Sequence, residues 1–163
     1  MTSANGSRAV DRLAAAGYAL PTVDPGGSPY AEFHVVGDLV HISGQLPLVD
    51  GEVPARGQVG ADVDRTTAEH LAELAAVQVL GVAAAALGGL DEVRMVQMLV
   101  FVASASDFSE QSFVAGAASR LLLHVLGENG VHARTAIGVA ALPRLSPVEI
   151  QAVCTRALRE TAR

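Results

Sequence analysis

Apolar positions along the chain alternate between two periods, and the switches between them mark the elements. Ser7 can cap a short helix over Arg8 to Ala16 that ends at Gly17. Residues 20–28 are rich in Pro and Gly and read as loop. Ala31 to Val36 and Leu39 to Ser43 read as two strands of a hairpin turning at Gly37-Asp38. Gly44 to Asp62 is a long irregular loop, a length often associated with function. Thr66 with Glu69 has the spacing of a capping box opening a long helix, with Leu71, Leu74, Val77, Ala84 and Leu87 as its apolar stripe and Gly88-Gly89 as its stop. Val93 to Val102 is apolar and rich in β-formers, the pattern of a central strand. Asp107 and Glu110 suggest the start of a further helix that faces inward with Phe113, Ala117, Leu121 and Val125 and ends at Gly127 to Gly130. Two alternating strands then fill His132 to Val153. The order β-β-α-β-α-β-β, behind a small helix, predicts an α+β fold with two layers: a mixed sheet with two long helices on one face. The other sheet face is expected to be bare and to suit a subunit contact.

The last two strands carry Arg134 and Glu149 among residues that are otherwise apolar, tiny or amide. A charge on an apolar strand needs a reason, because burying it unpaired is expensive. Side chains alternate along a strand. If Thr135, Ile137 and Val139 face the helices, as β-branched residues should, then Arg134, Ala136 and Gly138 face away. On the second strand Val148, Ile150, Ala152 and Cys154 face the helices, which puts Glu149 on the same open face as Arg134. Paired as a hairpin, the strands would hold the two charges roughly 20 Å apart at about 3.3 Å per residue. They could then meet only across copies of the chain, or they are two unrelated edge charges with solvated tips.

Composition sharpens this picture. A chain of 163 residues suggests one domain, 1–163, with residues 1–20 as an N-terminal extension. That length can bury roughly 70% of its unfolded surface. Hydrophobic residues make up 50% and charged residues 17%, a balance expected of a domain that buries further surface in an oligomer. The net charge of -6 opposes binding to a phosphate backbone, so no nucleic-acid partner is expected. The single cysteine, Cys154, excludes an internal disulfide and reads as an inert buried thiol in a reducing compartment. With a polar start that does not resemble a signal peptide, this points to the cytoplasm. The apolar run Leu74 to Leu90 is short for a membrane span and reads as a buried helix, so no membrane partner is expected.

No dinucleotide, P-loop or serine-hydrolase signature is present. The five histidines have no ligand spacing on one element, so no metal is expected. His132 alone is of interest, as a neighbour of Arg134, against the plainer reading of a turn histidine in solvent. Gly44, within Ser43-Gly44-Gln45, either ends a strand or opens the backbone to a small ligand. Tyr30 reads first as a core aromatic.

Four segments together resemble one family: S-P-Y at 28–30, H-I-S-G-Q-L-P at 41–47, H-A-R-T-A at 132–136 and V-E-I-Q-A-V at 148–153. They look like the signature of the reactive-intermediate deaminases (RidA-like, also called YjgF-like or endoribonuclease L-PSP), over roughly residues 20 to 157. The resemblance implies a chorismate-mutase-like fold and a homotrimer with ligand clefts between subunits. It implies hydrolysis of enamines or imines of 2-keto acids to the keto acid and ammonia, with no metal or organic cofactor. By that resemblance Arg134 holds the substrate carboxylate, Glu149 positions or activates water, and Tyr30 lines the cleft. Ser43, Gly44 and Ala136 would contribute to substrate binding, the last two through their backbone. The chain departs from the best-known members at Ala136, where cysteine is common, in the helix after Asp107, which is longer and lacks an asparagine near its start, and in its N-terminal extension. Some relatives have no known deaminase activity, so a non-catalytic trimer that binds small carboxylates is the alternative. Ribonuclease activity, a label some relatives carry, is disfavoured by the acidic balance.

Overall fold

A computed structural model of the chain describes residues 8–23 and 29–157. The expected cap Ser7 lies outside the described residues. Helix α1, Ala9–Ala15, packs on the body of the protein: the Ala9 N–H donates to Asp91 at 2.7 Å and Arg12 Nε donates to the Val125 carbonyl at 2.7 Å. The strands are β1 (Phe33–Val36), β2 (Leu39–Gln45), β3 (Val93–Ala103), β4 (Ala133–Val139) and β5 (Val148–Arg156). Two long helices, α2 (Arg65–Leu87) and α3 (Gln111–Leu126), cover one sheet face. The α+β class and the element order are those read from the sequence.

The start of α2 differs from the capping-box reading. The helix begins one residue before Thr66, and Asp64 is its cap, accepting from the Thr67 N–H at 2.8 Å. A carboxylate there also faces the positive end of the helix dipole. At the other end Gly88 has φ +86, the left-handed conformation that glycine adopts at least cost. By length and composition α2 is the one helix among the described residues that could cross a membrane, but 72% of its most apolar window is buried inside the protein. Its Ala-rich surface lets α3 and the sheet pack closely on it, and Leu71, Leu80, Val79 and Leu122 are fully buried there. Phe113, expected on the inward face of α3, is 61% exposed, and Val114 is buried in its place; Ala117, Leu121 and Val125 are buried as expected. Phe113 instead lies under the Arg65 guanidinium, 5.4 Å from the ring centre.

The sheet order β1-β2-β5-β3-β4 overturns the hairpin expected of the last two strands. β3 lies between them, parallel to β4 and antiparallel to β5. The physical reason is α3, the crossover that returns β4 alongside β3 in the same direction. Residues 140–147 then carry the chain past the end of β3, with Arg144 and Leu145 both at φ 58. Met98, Val100 and Val102 of β3 are buried under the helices and pair with Arg134, Ala136 and Gly138. Directly paired residues share a face. Arg134, Ala136 and Gly138 therefore face the helix side, and Thr135, Ile137 and Val139 face the open side, the reverse of the expectation for β4. On β5 the expectation holds: Val148, Ile150, Ala152 and Cys154 are buried and Glu149 lies on the open face. Cys154 is a buried free thiol, and burial pushes its pKa up to about 11.

If Asp64 caps α2, Asp64→Ala should lower the unfolding free energy by about 1 kcal/mol, whereas Thr66→Ala should stay within about 0.5 kcal/mol of the parent. Urea denaturation of the two variants measures both. A larger loss from Thr66→Ala would return the cap to the threonine.

Candidate active site

Arg134 lies across α3. Its Nη1 donates to Ser119 Oγ at 3.1 Å and its Nη2 to Ser112 Oγ at 3.0 Å. Ser112, Gly116 and Ser119 recur at the i, i+4, i+7 spacing of one helix face, which places two hydroxyls and a bare backbone under the guanidinium. Glycine at 116 matters because a Cβ there would lie 3.2 Å from Arg120 Nη1 and 4.0 Å from Arg134 Nη1. Two guanidinium groups thus share one patch. Arg120 is paired with Glu69 at 3.4 Å, whereas Arg134 meets only neutral hydroxyls and has no carboxylate partner among the described residues. A guanidinium has five N–H bonds. The serines take two, leaving Nε–H and one proton on each terminal nitrogen. His132 lies behind Ser119, with Nε2 3.1 Å from its Oγ, so it is not a turn histidine standing in solvent.

Past Arg134 the helix-side face of β4 continues through Ala136 to Gly138. There it opens into a cavity of about 500 Å³ lined by Gln58, Ser104, Ser106, Phe108 and Gln111. A Cβ on Gly138 would sit 2.9 Å from both Gln111 Nε2 and Ser104 Oγ, so a side chain there would have to displace those two tips. A larger hollow of about 590 Å³, at Val35, Asp38, Leu87 and Arg156, lies away from all of these groups.

Glu149 belongs to a second cluster. The ladder between β2 and β5 is regular from Leu39 to Ile42 and resumes at Gln45 opposite Ile150, so Ser43 and Gly44 form a bulge. The Glu149 side chain lies over the backbone of Gly44, and a Cβ on that residue would collide with its carboxylate. Gly44 is therefore a close-approach glycine whose visitor is the chain's own glutamate. Ser43 fastens the preceding segment: its Oγ donates to the Ala31 carbonyl at 2.7 Å and its N–H to the Glu32 carbonyl at 2.9 Å. Tyr30 adjoins that tether and is 61% exposed, so it is not the core aromatic first expected. Burial raises the Glu149 carboxyl above the ordinary glutamate range, and no cation among the described residues is near enough to offset it.

The candidate residues thus form two half-sites. Arg134 and Ala136 lie on the helix side of the β4 edge, whereas Glu149, Gly44, Ser43 and Tyr30 gather around the β2–β5 bulge. Arg134 and Glu149 are two strands and three residues apart on opposite faces, roughly 14 Å between Cα atoms. Sequence reasoning missed Ser112, Gly116 and Ser119, although their helical spacing was a readable signal. Among the described residues no group of three or more His, Cys, Asp or Glu is placed to hold a metal ion.

Comparison with known proteins gives this arrangement a family. Residues 10–153 match the family described as "YjgF/chorismate_mutase-like, putative endoribonuclease". The chain belongs to that family. "Protein TCP17" of Trypanosoma cruzi is 42% identical over 148 residues, covering 90% of this chain and 92% of that protein. A crystal structure from Agrobacterium tumefaciens, of a protein described as having unknown function, superposes with a TM-score of 0.84 at 40% identity over 92% of each chain. One from Shewanella oneidensis, described as a "putative endoribonuclease", gives a TM-score of 0.86 at 26% identity, over 91% of this chain and 99% of that one. The sheet and helices described above are the YjgF/chorismate-mutase-like fold.

The raised pKa of Glu149 has a consequence for stability. The folded chain takes up this proton at a higher pH than the unfolded chain, whose carboxyl titrates near about 4.3. The stability it contributes is full below that value and is lost as pH climbs through the raised one. Glu149→Gln cannot ionise, so in urea melts it should gain on the parent between pH 4 and pH 7. A gap that stays constant with pH would contradict the burial of this carboxyl.

Proposed function

We propose that the chain is a cofactor-independent enamine/imine deaminase acting on small 2-imino acids in clefts between the subunits of a homotrimer. The observation that carries this reading is Arg134, held in one orientation by two serine hydroxyls with its charge unneutralised among the described residues. A fixed guanidinium with free N–H groups suits a two-point grip on a carboxylate. Glu149 supplies the complementary chemistry. A carboxyl whose pKa is raised by burial keeps its proton to a higher pH than an ordinary glutamate, can give that proton, and once ionised accepts one from water. Protonation of the imine nitrogen makes its carbon electrophilic. Water adds to that carbon, the C–N bond breaks, and ammonia leaves the keto acid. Glu149 gives the first proton and takes one back from the attacking water, then passes that proton to the amino nitrogen and accepts the remaining hydroxyl proton as the C–N bond breaks.

The trimer answers the separation of the half-sites. Among the described residues nothing covers the open sheet face or the outer edge of β4, and Ile137 and Gln151 are exposed there. In a closed three-fold ring the Arg134 half-site of one subunit would meet the Glu149 half-site of the next.

An assay that generates 2-iminopropanoate in situ tests the activity. The protein should accelerate its decay, and Arg134→Ala should lower kcat/KM by about 100-fold, the scale of losing a charged two-point contact. Equal decay with parent, variant and no protein would overturn the enzyme reading. Calorimetric binding of 2-oxobutanoate would in that case identify a non-catalytic carboxylate-binding protein.

The composite site has its own test. Arg134→Ala and Glu149→Ala proteins, each strongly impaired alone, should regain part of the activity when unfolded together and reassembled. A fully active monomer in sedimentation, or no recovery despite demonstrated subunit exchange, would rule it out.

A further inference from the structure

The hydrogen bonds behind Arg134 run in one direction. His132 Nδ1 lies 2.6 Å from the Gly130 carbonyl oxygen, which can only accept, so Nδ1 carries the proton. In the neutral ring Nε2 is then an acceptor, and its neighbour at 3.1 Å is Ser119 Oγ. The serine therefore spends its one hydroxyl proton on His132 and turns its lone pairs towards Arg134 Nη1, also at 3.1 Å. Without the imidazole that hydroxyl would be free to rotate, and its proton could point at the guanidinium. An exposed arginine loses considerable rotamer freedom when it is fixed. A scaffold that fixes it beforehand removes that cost from ligand binding. Gly130, which anchors the imidazole, is buried where the turn Gly127–Gly130 leads into β4, so the chain of contacts ends on rigid backbone.

We propose that His132 is a positioning residue for the carboxylate site: as the Nδ1–H tautomer it orients Ser119, and through Ser119 it holds Arg134 ready for the ligand. The inference rests on the reading of Arg134 as the carboxylate anchor. It assigns His132 no contact with substrate. It also distinguishes the two serines, since Ser112 holds the other terminal nitrogen with no histidine behind it.

The test uses the assembled protein, calorimetry with 2-oxobutanoate, the imine assay and nitrogen NMR of the imidazole. Ser119→Ala and His132→Leu should each weaken binding by about 3- to 10-fold, the scale of one lost hydrogen bond. KM should rise while kcat stays within about twofold. The double variant should bind no worse than the weaker single one, because both break the same chain of contacts. His132→Gln, whose amide oxygen can accept from Ser119, should recover most of the loss. The imidazole spectrum should show a protonated Nδ1 and a bare Nε2. Multiplying losses in the double variant, parental binding by His132→Leu, or a protonated Nε2 in the neutral ring would overturn the proposal while leaving the Arg134 reading intact. Equal binding by the parent and Arg134→Ala would remove the carboxylate reading itself, and the positioning role with it.

Discussion

The pairing of β3 with both β4 and β5 decides where every candidate group goes. Its buried residues Met98, Val100 and Val102 fix the faces of both neighbours through direct pairing. On β4 that register turns Arg134, Ala136 and Gly138 towards α3. On β5 it turns Glu149 away from the helices. A slip of one residue on either strand would exchange its faces, burying Glu149 in the apolar core or turning Arg134 away from its serines. On β5 the buried residues Val148, Ile150, Ala152 and Cys154 resist such a slip because it would expose them.

Both half-sites carry an electrostatic cost. Arg134 is fixed against hydroxyls that donate and accept but do not neutralise. Glu149 is partly desolvated beside apolar Phe101 and over the backbone of Gly44, and its carboxyl responds by holding its proton more tightly. Most of the other described arginines are paired with carboxylates, as with Arg65 and Glu110 at 2.6 Å or Arg156 and Glu92 at 2.8 Å. Local departures from otherwise consistent pairing are where functional sites tend to be found. In the trimeric reading the two departures compensate one another: a bound carboxylate neutralises the arginine, and a carboxyl that holds its proton more tightly is the stronger base once ionised.

Much of this was legible in the sequence, and the failures have common physical roots. Periodicity located the helices and strands because their cores are continuous apolar stripes. It failed on partners and faces, which depend on contacts distant in the chain. Adjacent strands suggested a hairpin, but the crossover through α3 had already placed β3 between them. The rule that β-branched residues seek the helices failed on β4 because α3 approaches that edge closely enough to need Ala136 and Gly138. Phe113 looked inward by spacing and lies out over the surface with Arg65. Gly44 could be suspected as a close-approach glycine, but not that its visitor is Glu149, since the bulge at Ser43 is set by the β5 register. Arg134 and Glu149 stood out in the sequence as charges on otherwise apolar strands; spacing alone left open whether they act together.

The family description includes a nuclease label, and the distribution of charge bears on it. All eleven basic side chains of this sequence are arginines, against seventeen acidic ones. Arg8, Arg56, Arg65, Arg120, Arg144 and Arg156 each pair with a carboxylate. A nucleic-acid strand presents a phosphate at every nucleotide, and its binding draws on several unneutralised cations along a groove. At the candidate site Arg134 offers one, with three N–H bonds free and a two-point geometry that matches a single carboxylate. Arg120 shares its patch but is already committed to Glu69. The cavity beyond Ala136 is lined by serines, glutamines and a phenylalanine with no further cation, so it suits the neutral remainder of a small acid better than a second phosphate. The imbalance between one fixed, unneutralised arginine and a predominantly acidic surface thus favours a small carboxylate over a polyanion.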